Sequence, residues 1–214
     1  MKSLKHIGLY ISITLIVSIV ISSCRQGTVV TGTWQKDTDK AYDDLVVAAL
    51  TDRMSLRTTV EEDLKQSLEN IGASVQTSVN VLPPGFIEDE NQKAVIINRV
   101  NEQGTDGILT IALVAGETET RYEPGGYPYA PYPTHPYYGH FWAYYDHWYP
   151  KFATPDYYTE NNNYYIETNL YDAKTEELVW SGQSKIYDPA YLERFSESYA
   201  DEITASMASD GVID

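Results

Sequence analysis

The thiol of Cys24 is the group whose position most clearly indicates chemistry, because it is the single cysteine of the chain and directly follows a short apolar segment. Two lysines lie near the first residue, an apolar run extends from Ile7 to Ile21, and Ser22 and Ser23 stand just before Cys24. This order is typical of a secretory signal peptide. Without a second cysteine, the chain can form neither an internal disulfide nor a zinc site with several thiolates.

The segment Ile21-Ser22-Ser23-Cys24 resembles the lipobox of bacterial lipoproteins. The resemblance implies that the thiol is acylated and that the chain is cut between Ser23 and Cys24. By the same resemblance, Arg25 in place of an aspartate is compatible with transfer to the outer membrane, with the domain facing the periplasm. The alternative is a retained transmembrane helix. Export is favoured because a bilayer core requires about 20 apolar residues, whereas the apolar run has 15 with polar interruptions.

Acidic residues outnumber basic ones by 31 to 15, and residues 1–23 contain two of the lysines, so the mature chain has a net charge of 13 − 31 = −18. Nucleic-acid phosphates are bound by Lys and Arg, so this composition argues against a nucleic-acid partner. It also argues against attraction to anionic lipid by charge. The acyl chains on Cys24 are therefore the expected link to the membrane.

Histidines and carboxylates are the remaining groups that could bind metal or catalyse a reaction. His135, His140 and His147 could take copper or zinc, but spacings of five and seven match no compact ligand motif. They are weak candidates, and we predict no metal, no cofactor and no catalytic residue. No Gly-x-Ser-x-Gly or phosphate-binding glycine motif is present. Asp106, beside an apolar run, is more typical of a turn or cap residue than of a catalytic acid.

Hydrophobic periodicity predicts the elements that would position these groups. The first is a buried strand at 45–50, followed by a helix whose apolar stripe runs from Leu56 to Ile71 and ends at Gly72. A half-buried strand at 73–81, a helix at 89–103 and a central strand at 108–114 come next. Strands that alternate with helices favour parallel pairing with right-handed crossovers.

The last third of the chain predicts a hairpin and a helix. Strands at 164–171 and 178–186 flank a type I turn that begins at Asp172. Asp188-Pro189 is typical of a helix start, and the helix would bury Leu192, Phe195, Tyr199, Ile203 and Met207. The prediction is one α/β domain over residues 43–214, with a mixed sheet of about five strands packed with three helices. Residues 24–42 are predicted to be the lipidated cysteine and a flexible tether.

Residues 122–165 form a Tyr- and Pro-rich insert with 13 of the 19 tyrosines and 7 of the 10 prolines. The prolines exclude a long helix or a central strand, and a connection of this length without secondary structure is either functional or disordered. Its rings could cover the sheet, contact another envelope protein or a glycan, or hold metal through the histidines. The predicted contact residues are Tyr129, Tyr132, Tyr137, Tyr138, Trp142, Tyr144, Tyr145, Trp148 and Tyr149.

The hairpin segment from Tyr165 to Gly182 is similar to an uncharacterised family of bacterial envelope lipoproteins with a domain of unknown function. In that family, a strand ending in Asp turns into a second strand ending in Leu-Val-Trp and a small residue. The resemblance implies an envelope location and carries no catalytic residue. On alternation alone, Leu178, Trp180 and Gly182 share one face of the strand, and Trp180 is a core anchor.

Together these features predict a lipid-anchored bacterial envelope lipoprotein with a binding or structural role rather than a catalytic one. The insert is its predicted contact surface, and the partners are the membrane, reached through the acyl chains, and an envelope protein or glycan. One alternative is a hydrolase acting on envelope glycans or peptidoglycan. A second alternative is weak metal binding by the insert histidines.

Overall fold

The computed structural model describes residues 28–38, 40–51, 53–81, 90–115, 136–152, 163–187 and 192–213. The predictions for the signal peptide, Ser23, Cys24, Tyr129, Tyr132, His135 and the helix start at 188–189 lie outside these residues. Within the described ranges, no helix is both long enough and apolar enough to span a bilayer.

Six strands and five α-helices follow one another along the described ranges. The strands are β1 (Thr28–Gln35), β2 (Asp44–Ala49), β3 (Ser74–Thr77), β4 (Gly107–Ala115), β5 (Asn163–Asp172) and β6 (Leu178–Tyr187). The helices are α1 (Met54–Glu69), α2 (Ser78–Val81), α3 (Glu90–Glu102), α4 (Phe141–Phe152) and α5 (Leu192–Ser209), and a 3₁₀ turn (Pro136–Gly139) precedes α4. The predicted α/β class and single domain are confirmed.

The strands form one mixed sheet in the order β1-β6-β5-β4-β2-β3. The neighbours of β2, which are β3 and β4, run parallel to it, as the alternation of strands and helices predicts. The other three pairs are antiparallel. We call the two ends of the sheet the Thr28 end and the Asp172 end. The Thr28 end carries Thr28, Ala49, Ala115, Asn163 and Tyr187, and the Asp172 end carries Gln35, Asp44, Gly107, Asp172 and Leu178.

Helix α1 forms where its apolar spacing predicts. Val60, Leu64 and Leu68 are buried one turn apart and form a stripe toward the sheet. Gly72, with φ +112°, adopts a conformation that glycine tolerates without steric cost and that ends the helix. Ile71 was predicted to belong to the stripe, and this is wrong: it follows the last helical residue and is 40% exposed.

The prediction of a flexible tether over residues 24–42 is wrong for the part that the structure describes. Thr28–Gln35 is an edge strand that pairs antiparallel with β6, from Thr28 beside Ile186 to Gln35 beside Trp180. A bulge interrupts this pairing between Val30 and Gly32. The strand was missed because its Thr- and Gly-rich sequence carries little apolar signal, and its stability comes from a partner about 150 residues away in the chain.

The strand predicted at 73–81 is shorter than expected. β3 has four residues, and the chain then enters the single turn of α2. At this point the Glu61 carboxylate accepts hydrogen bonds from the Ser78 hydroxyl and from the Val79 N–H. These hydrogen bonds hold the backbone that follows β3 close to α1, so the chain leaves the sheet at this point.

The sheet is covered on both faces. On one face, α1 and α5 form the helix-side core, whose largest buried members include Leu64, Leu68, Tyr199, Ile203 and Met207. On the other face lies the aromatic-side core, which contains Val81, Val100, Phe141, Tyr144, Tyr145, Tyr171 and Leu178. Successive residues of a strand alternate between the two cores, which explains why the apolar runs of β2 and β4 are continuous.

A bulge in β6 changes the predicted alternation around Trp180. Leu170 pairs with Trp180, but the next residue, Tyr171, pairs with Leu178. Leu178 therefore packs in the aromatic-side core and Trp180 in the helix-side core, so the prediction that they share a face is wrong. Trp180 is fully buried, as expected of a core anchor, and its Nε1–H donates to Asp210 Oδ2 at 2.8 Å.

Candidate functional site

Residues 136–152, the part of the aromatic insert that the structure describes before β5, have secondary structure, contrary to the prediction. The 3₁₀ turn at 136–139 leads into α4, which ends at Phe152. The prediction failed because it weighed the number of prolines rather than their spacing. Residues 137–149 contain no proline, and Pro150 stands in the last turn of the helix. Thirteen residues are enough for three helical turns.

Three of the predicted contact residues are core residues instead. Tyr138, Tyr144 and Tyr145 are 8%, 0% and 6% exposed, since the 3₁₀ turn and α4 pack on the sheet and direct these rings into the aromatic-side core. Their prediction as contact residues is therefore wrong, and for these three rings the interpretation that the insert covers the sheet is correct. Tyr149 lies in α4, but its side chain is outside the described part of the protein.

Glu167 lies at the centre of this layer, near the middle of β5. Its carboxylate is 1% exposed and accepts a hydrogen bond from the Tyr144 hydroxyl, 2.7 Å from Oε2. The Tyr138 hydroxyl donates to the same carboxylate, 2.9 Å from Oε1 and 3.3 Å from Oε2. Through these hydrogen bonds Glu167 holds both the 3₁₀ turn and α4 against the sheet.

The tyrosines around Glu167 are held in their neutral form. Burial raises the pKa of the Tyr144 hydroxyl well above its usual value, and the nearby Glu167 charge adds to the effect. Burial and the Glu167 charge raise the pKa of Tyr171 in the same way, against a smaller opposing contribution from Asn169. These hydroxyls can therefore donate hydrogen bonds at physiological pH but cannot act as bases. The arrangement is suited to holding structure rather than to transferring protons.

A second set of rings lies at the border of this layer. Tyr137 stacks on His147 with ring centroids 4.0 Å apart and planes 7° from parallel, and the Trp148 ring stands edge-on to Tyr137 at 6.4 Å. Trp142 meets Phe141 in an edge arrangement at 4.7 Å. We call Tyr137, Trp142, His147 and Trp148 the aromatic ledge. All four are partly exposed, so in the described segment the ledge is the part of the predicted contact surface that is not fully buried in the core.

The histidines of α4 and its approach are engaged in contacts with neighbouring side chains. His147 stacks on Tyr137, and His140 Nδ1 lies 3.3 Å from Glu176 Oε2. Seven residues along a helix span about 10 Å, which is too far for the two imidazoles to share one ion. In the ranges that the structure describes, no group of three or more His, Cys, Asp or Glu is placed to hold a metal.

Comparisons with known proteins give no family. No protein-family model matches the chain, and no curated protein matches it. Among solved structures, the chain is similar to a point variant of the PelC dodecamer from Paraburkholderia phytofirmans, with 14% identity, a TM-score of 0.40 and coverage of 84% of this chain and 96% of that one. A second crystal form of the PelC dodecamer gives 15% identity, a TM-score of 0.40 and coverage of 82% and 94%. At these values the likeness establishes neither a shared function nor a shared assembly.

A second buried carboxylate, Glu61, was not anticipated from the sequence. It is fully buried and accepts hydrogen bonds from the Ala49 N–H at 3.0 Å, from Arg57 Nε at 3.1 Å, and from Ser78 and Val79. Arg57 Nη2 also donates to the Ser78 hydroxyl at 2.6 Å. The sequence feature that could have predicted this cluster is the pair Arg57 and Glu61, which are four residues apart beside the apolar stripe of α1, next to Val60.

Glu61 lies where α/β proteins commonly bind ligands, at the carboxyl ends of parallel strands β2 and β3. Here the described contacts are all internal, and Ser78 is itself fully buried. The Arg57–Glu61–Ser78 cluster therefore joins α1 to the ends of two strands.

The carboxylates at the Asp172 end bind backbone N–H groups. Asp106 accepts from the backbone N–H of Asp44 at 3.2 Å and of Asp43 at 3.4 Å. These donors lie 62 and 63 residues away in the chain, so Asp106 links the start of β4 to the start of β2, and its predicted role as a local turn or cap residue is wrong. Asp172 Oδ1 accepts from the N–H groups of Lys174 and Thr175, both at 2.9 Å, as the predicted turn requires.

The other oxygen of Asp172 ties the hairpin turn to the segment before β2. Lys40 Nζ lies 2.7 Å from Asp172 Oδ2, and the Tyr42 hydroxyl donates to the same oxygen at 3.2 Å. Burial alone would raise the pKa of Asp172, but the hydrogen bonds from Lys40 and the turn outweigh it and hold this pKa well below its usual range.

Proposed function

We propose that this protein is a bacterial lipoprotein, anchored through acyl chains on Cys24 to the outer membrane and facing the periplasm. Its α/β domain binds a partner or has a structural role and does not catalyse a reaction. The lipobox-like segment Ile21-Ser22-Ser23-Cys24 supports the anchor. The resemblance of Tyr165–Gly182 to uncharacterised envelope lipoproteins supports the location.

The observation that supports a binding role is the aromatic ledge on a rigid base. Beneath the ledge, the Tyr138 and Tyr144 hydroxyls are bound to Glu167, so the helix that carries the ledge is fixed to the sheet. Rings that are held in place before binding lose little conformational entropy when a partner arrives. Flat aromatic rings with polar tips stack on sugars and anchor protein interfaces. An envelope glycan or an envelope protein therefore fits this surface.

The use of the buried carboxylates supports a non-catalytic role. Glycosidic hydrolysis requires two carboxyl groups that face each other across a substrate cleft. Glu167 accepts hydrogen bonds from two tyrosines, and Glu61 is bound by two backbone N–H groups, an arginine and a serine. Both carboxylates therefore hold elements of the fold together.

The anchor is tested by intact-mass measurement of the protein purified from its native host. We expect a chain that begins at Cys24 and carries acyl groups, and we expect the Cys24→Ala variant to lack them and to leave the membrane fraction. A wild-type chain that begins at Met1 without modification would contradict the proposal.

The binding role is tested by measuring partner capture from envelopes with Trp142→Ala. Truncation of a tryptophan at the centre of an interface costs about 2 kcal/mol or more, which corresponds to about a 30-fold loss of affinity. The control is Val95→Ala, which alters an apolar side chain that is 45% exposed on α3, a helix that carries none of the ledge residues. Equal capture by the wild type and Trp142→Ala, with both folded, would argue against the ledge as the binding surface.

A further inference from the structure

The distance between the lipid and the folded domain is limited by the length of the intervening chain. Only residues 25–27 separate Cys24 from the first residue of β1, Thr28. Four residue steps reach at most about 14 Å. The flexible tether expected from the sequence would have allowed far more freedom. With β1 fixed in the sheet, an acylated Cys24 must remain close to the Thr28 end.

The topology separates the two ends of the sheet. β1 leaves the Thr28 end and runs antiparallel to β6, which has ten residues. At 3.3 Å per residue, ten residues span about 33 Å. The hairpin turn at Lys174 therefore lies far from the anchor, and the two ends of the sheet can be distinguished by their distance from a bilayer.

The two ends also differ in charge. Acidic groups gather at the Asp172 end, where six carboxylates face three lysines: Asp43, Asp44, Asp106, Asp172, Glu176 and Glu177 against Lys36, Lys40 and Lys174. The Thr28 end carries Arg53 and Lys185 near exposed apolar side chains, Val29 at 51% and Met54 at 39%, and it also carries the first turns of α5 with Glu193 and Glu197. Anionic headgroups repel the acidic cluster of the Asp172 end, whereas the Thr28 end combines charges of both signs with apolar side chains.

We propose that the Thr28 end of the sheet rests against lipid headgroups and that the strands stand away from the bilayer, so that the Asp172 end is displayed to the periplasm. This inference rests on the proposed acylation of Cys24. The competing geometry is a domain that lies along the membrane on the edge of β1. That geometry would bring Asp37 and the acidic hairpin as close to the headgroups as Val29.

Spin labels at three positions test the orientation. Acylation blocks the native thiol, so a cysteine introduced at Val29, Asp37 or Lys174 is the only free one in the lipidated chain. All three positions are exposed. The lipidated proteins are placed in vesicles of phosphatidylethanolamine and phosphatidylglycerol that contain a nickel-chelating lipid, and the relaxation of each label by nickel is measured. The Cys24→Ala form of each protein sets the background.

An upright domain gives strong relaxation at Val29 and weak relaxation at the other two positions. Val29 and Asp37 are eight residues apart, about 26 Å along an extended strand. Because dipolar relaxation falls steeply with distance, we expect at least about a tenfold larger effect at Val29 for that separation. If Val29→Cys does not fold, Thr31→Cys on the same exposed edge replaces it.

The outcomes separate the two proposals. Equal relaxation at Val29 and Asp37 in protein that floats with the vesicles would overturn the upright orientation and leave the lipoprotein assignment intact. A chain that carries no acyl group and does not float would overturn both.

Discussion

The hydrogen bond from Tyr144 to Glu167 gives the most direct measure of how firmly the aromatic layer is held. Tyr144→Phe removes a single oxygen that lies 2.7 Å from Glu167 Oε2 and leaves the fully buried ring in place. Loss of this hydrogen bond leaves a buried carboxyl group with one donor fewer, which costs about 1–3 kcal/mol. In proteins of 150–250 residues each kcal/mol shifts the melting temperature by about 2–4 °C, so the predicted decrease is roughly 2–12 °C.

Urea and thermal unfolding, followed by circular dichroism, measure this free energy. The matched control is Tyr164→Phe, which removes the same atom from β5 on the opposite face of the sheet, where Tyr164 packs against the helix-side core. A change within about 0.5 kcal/mol is expected there. A double-mutant cycle with Glu167→Gln isolates the pair, and a coupling of about 0.5–3 kcal/mol is expected for residues in direct contact.

Two results would refute this reasoning. If Tyr144→Phe unfolds within about 0.5 kcal/mol of the wild type, the hydrogen bond contributes no net stability. If Tyr144→Phe and Glu167→Gln are additive, the two side chains are not coupled. In either case, apolar packing alone would hold α4 on the sheet.

Three further predictions concern the rest of the fold. Gly182→Ala places a Cβ against the Trp180 ring, closer than van der Waals contact allows. We therefore expect the free energy of unfolding in urea to fall by about 1–3 kcal/mol and the near-ultraviolet dichroism signal to change. An unchanged stability would mean that the ring can move without cost. Ser78→Ala removes a donor to Glu61 and should lower the free energy of unfolding by about 1–3 kcal/mol, with no effect expected if the cluster were solvated. Burial raises the pKa of Tyr199, so the folded state keeps a proton that the unfolded state releases above about pH 10. As far as this group is concerned, the free energy of unfolding does not change with pH below about pH 10. Above that pH it falls by up to about 1.4 kcal/mol per pH unit for each such tyrosine, and thermal melts in alkaline buffer would show this fall.

Local patterns in the sequence were enough to predict the strand and helix order around β2, α1 and β4. The spacing of Val60, Leu64 and Leu68 defines one helical face, and Gly72 provides its stop. The Asp172 turn was equally readable, because its hydrogen bonds lie within four residues. Such features depend on neighbours in the chain and need no knowledge of the tertiary structure.

The features that could not be predicted depend on distant partners. β1 forms a strand because its backbone pairs with that of β6, whereas the sequence of Thr28–Gln35 alone gives no apolar face. The Glu61 cluster collects groups from three separate elements. Of the candidate site, the sequence indicated the aromatic segment, but it could not separate the rings that bind Glu167 from those of the ledge. That division depends on which side of α4 faces the sheet.

The two outermost strands have a consequence for a protein that is crowded on a surface. An exposed strand with free backbone groups can recruit a strand from a neighbouring molecule, and natural proteins prevent this with bulges or with very short edges. Here β1 is interrupted by a bulge between Val30 and Gly32, and β3, at the other edge, has only four residues. If the proposed acyl anchor confines many copies to one plane, they meet far more often than in free solution, and the bulge in β1 and the shortness of β3 disfavour strand pairing between them.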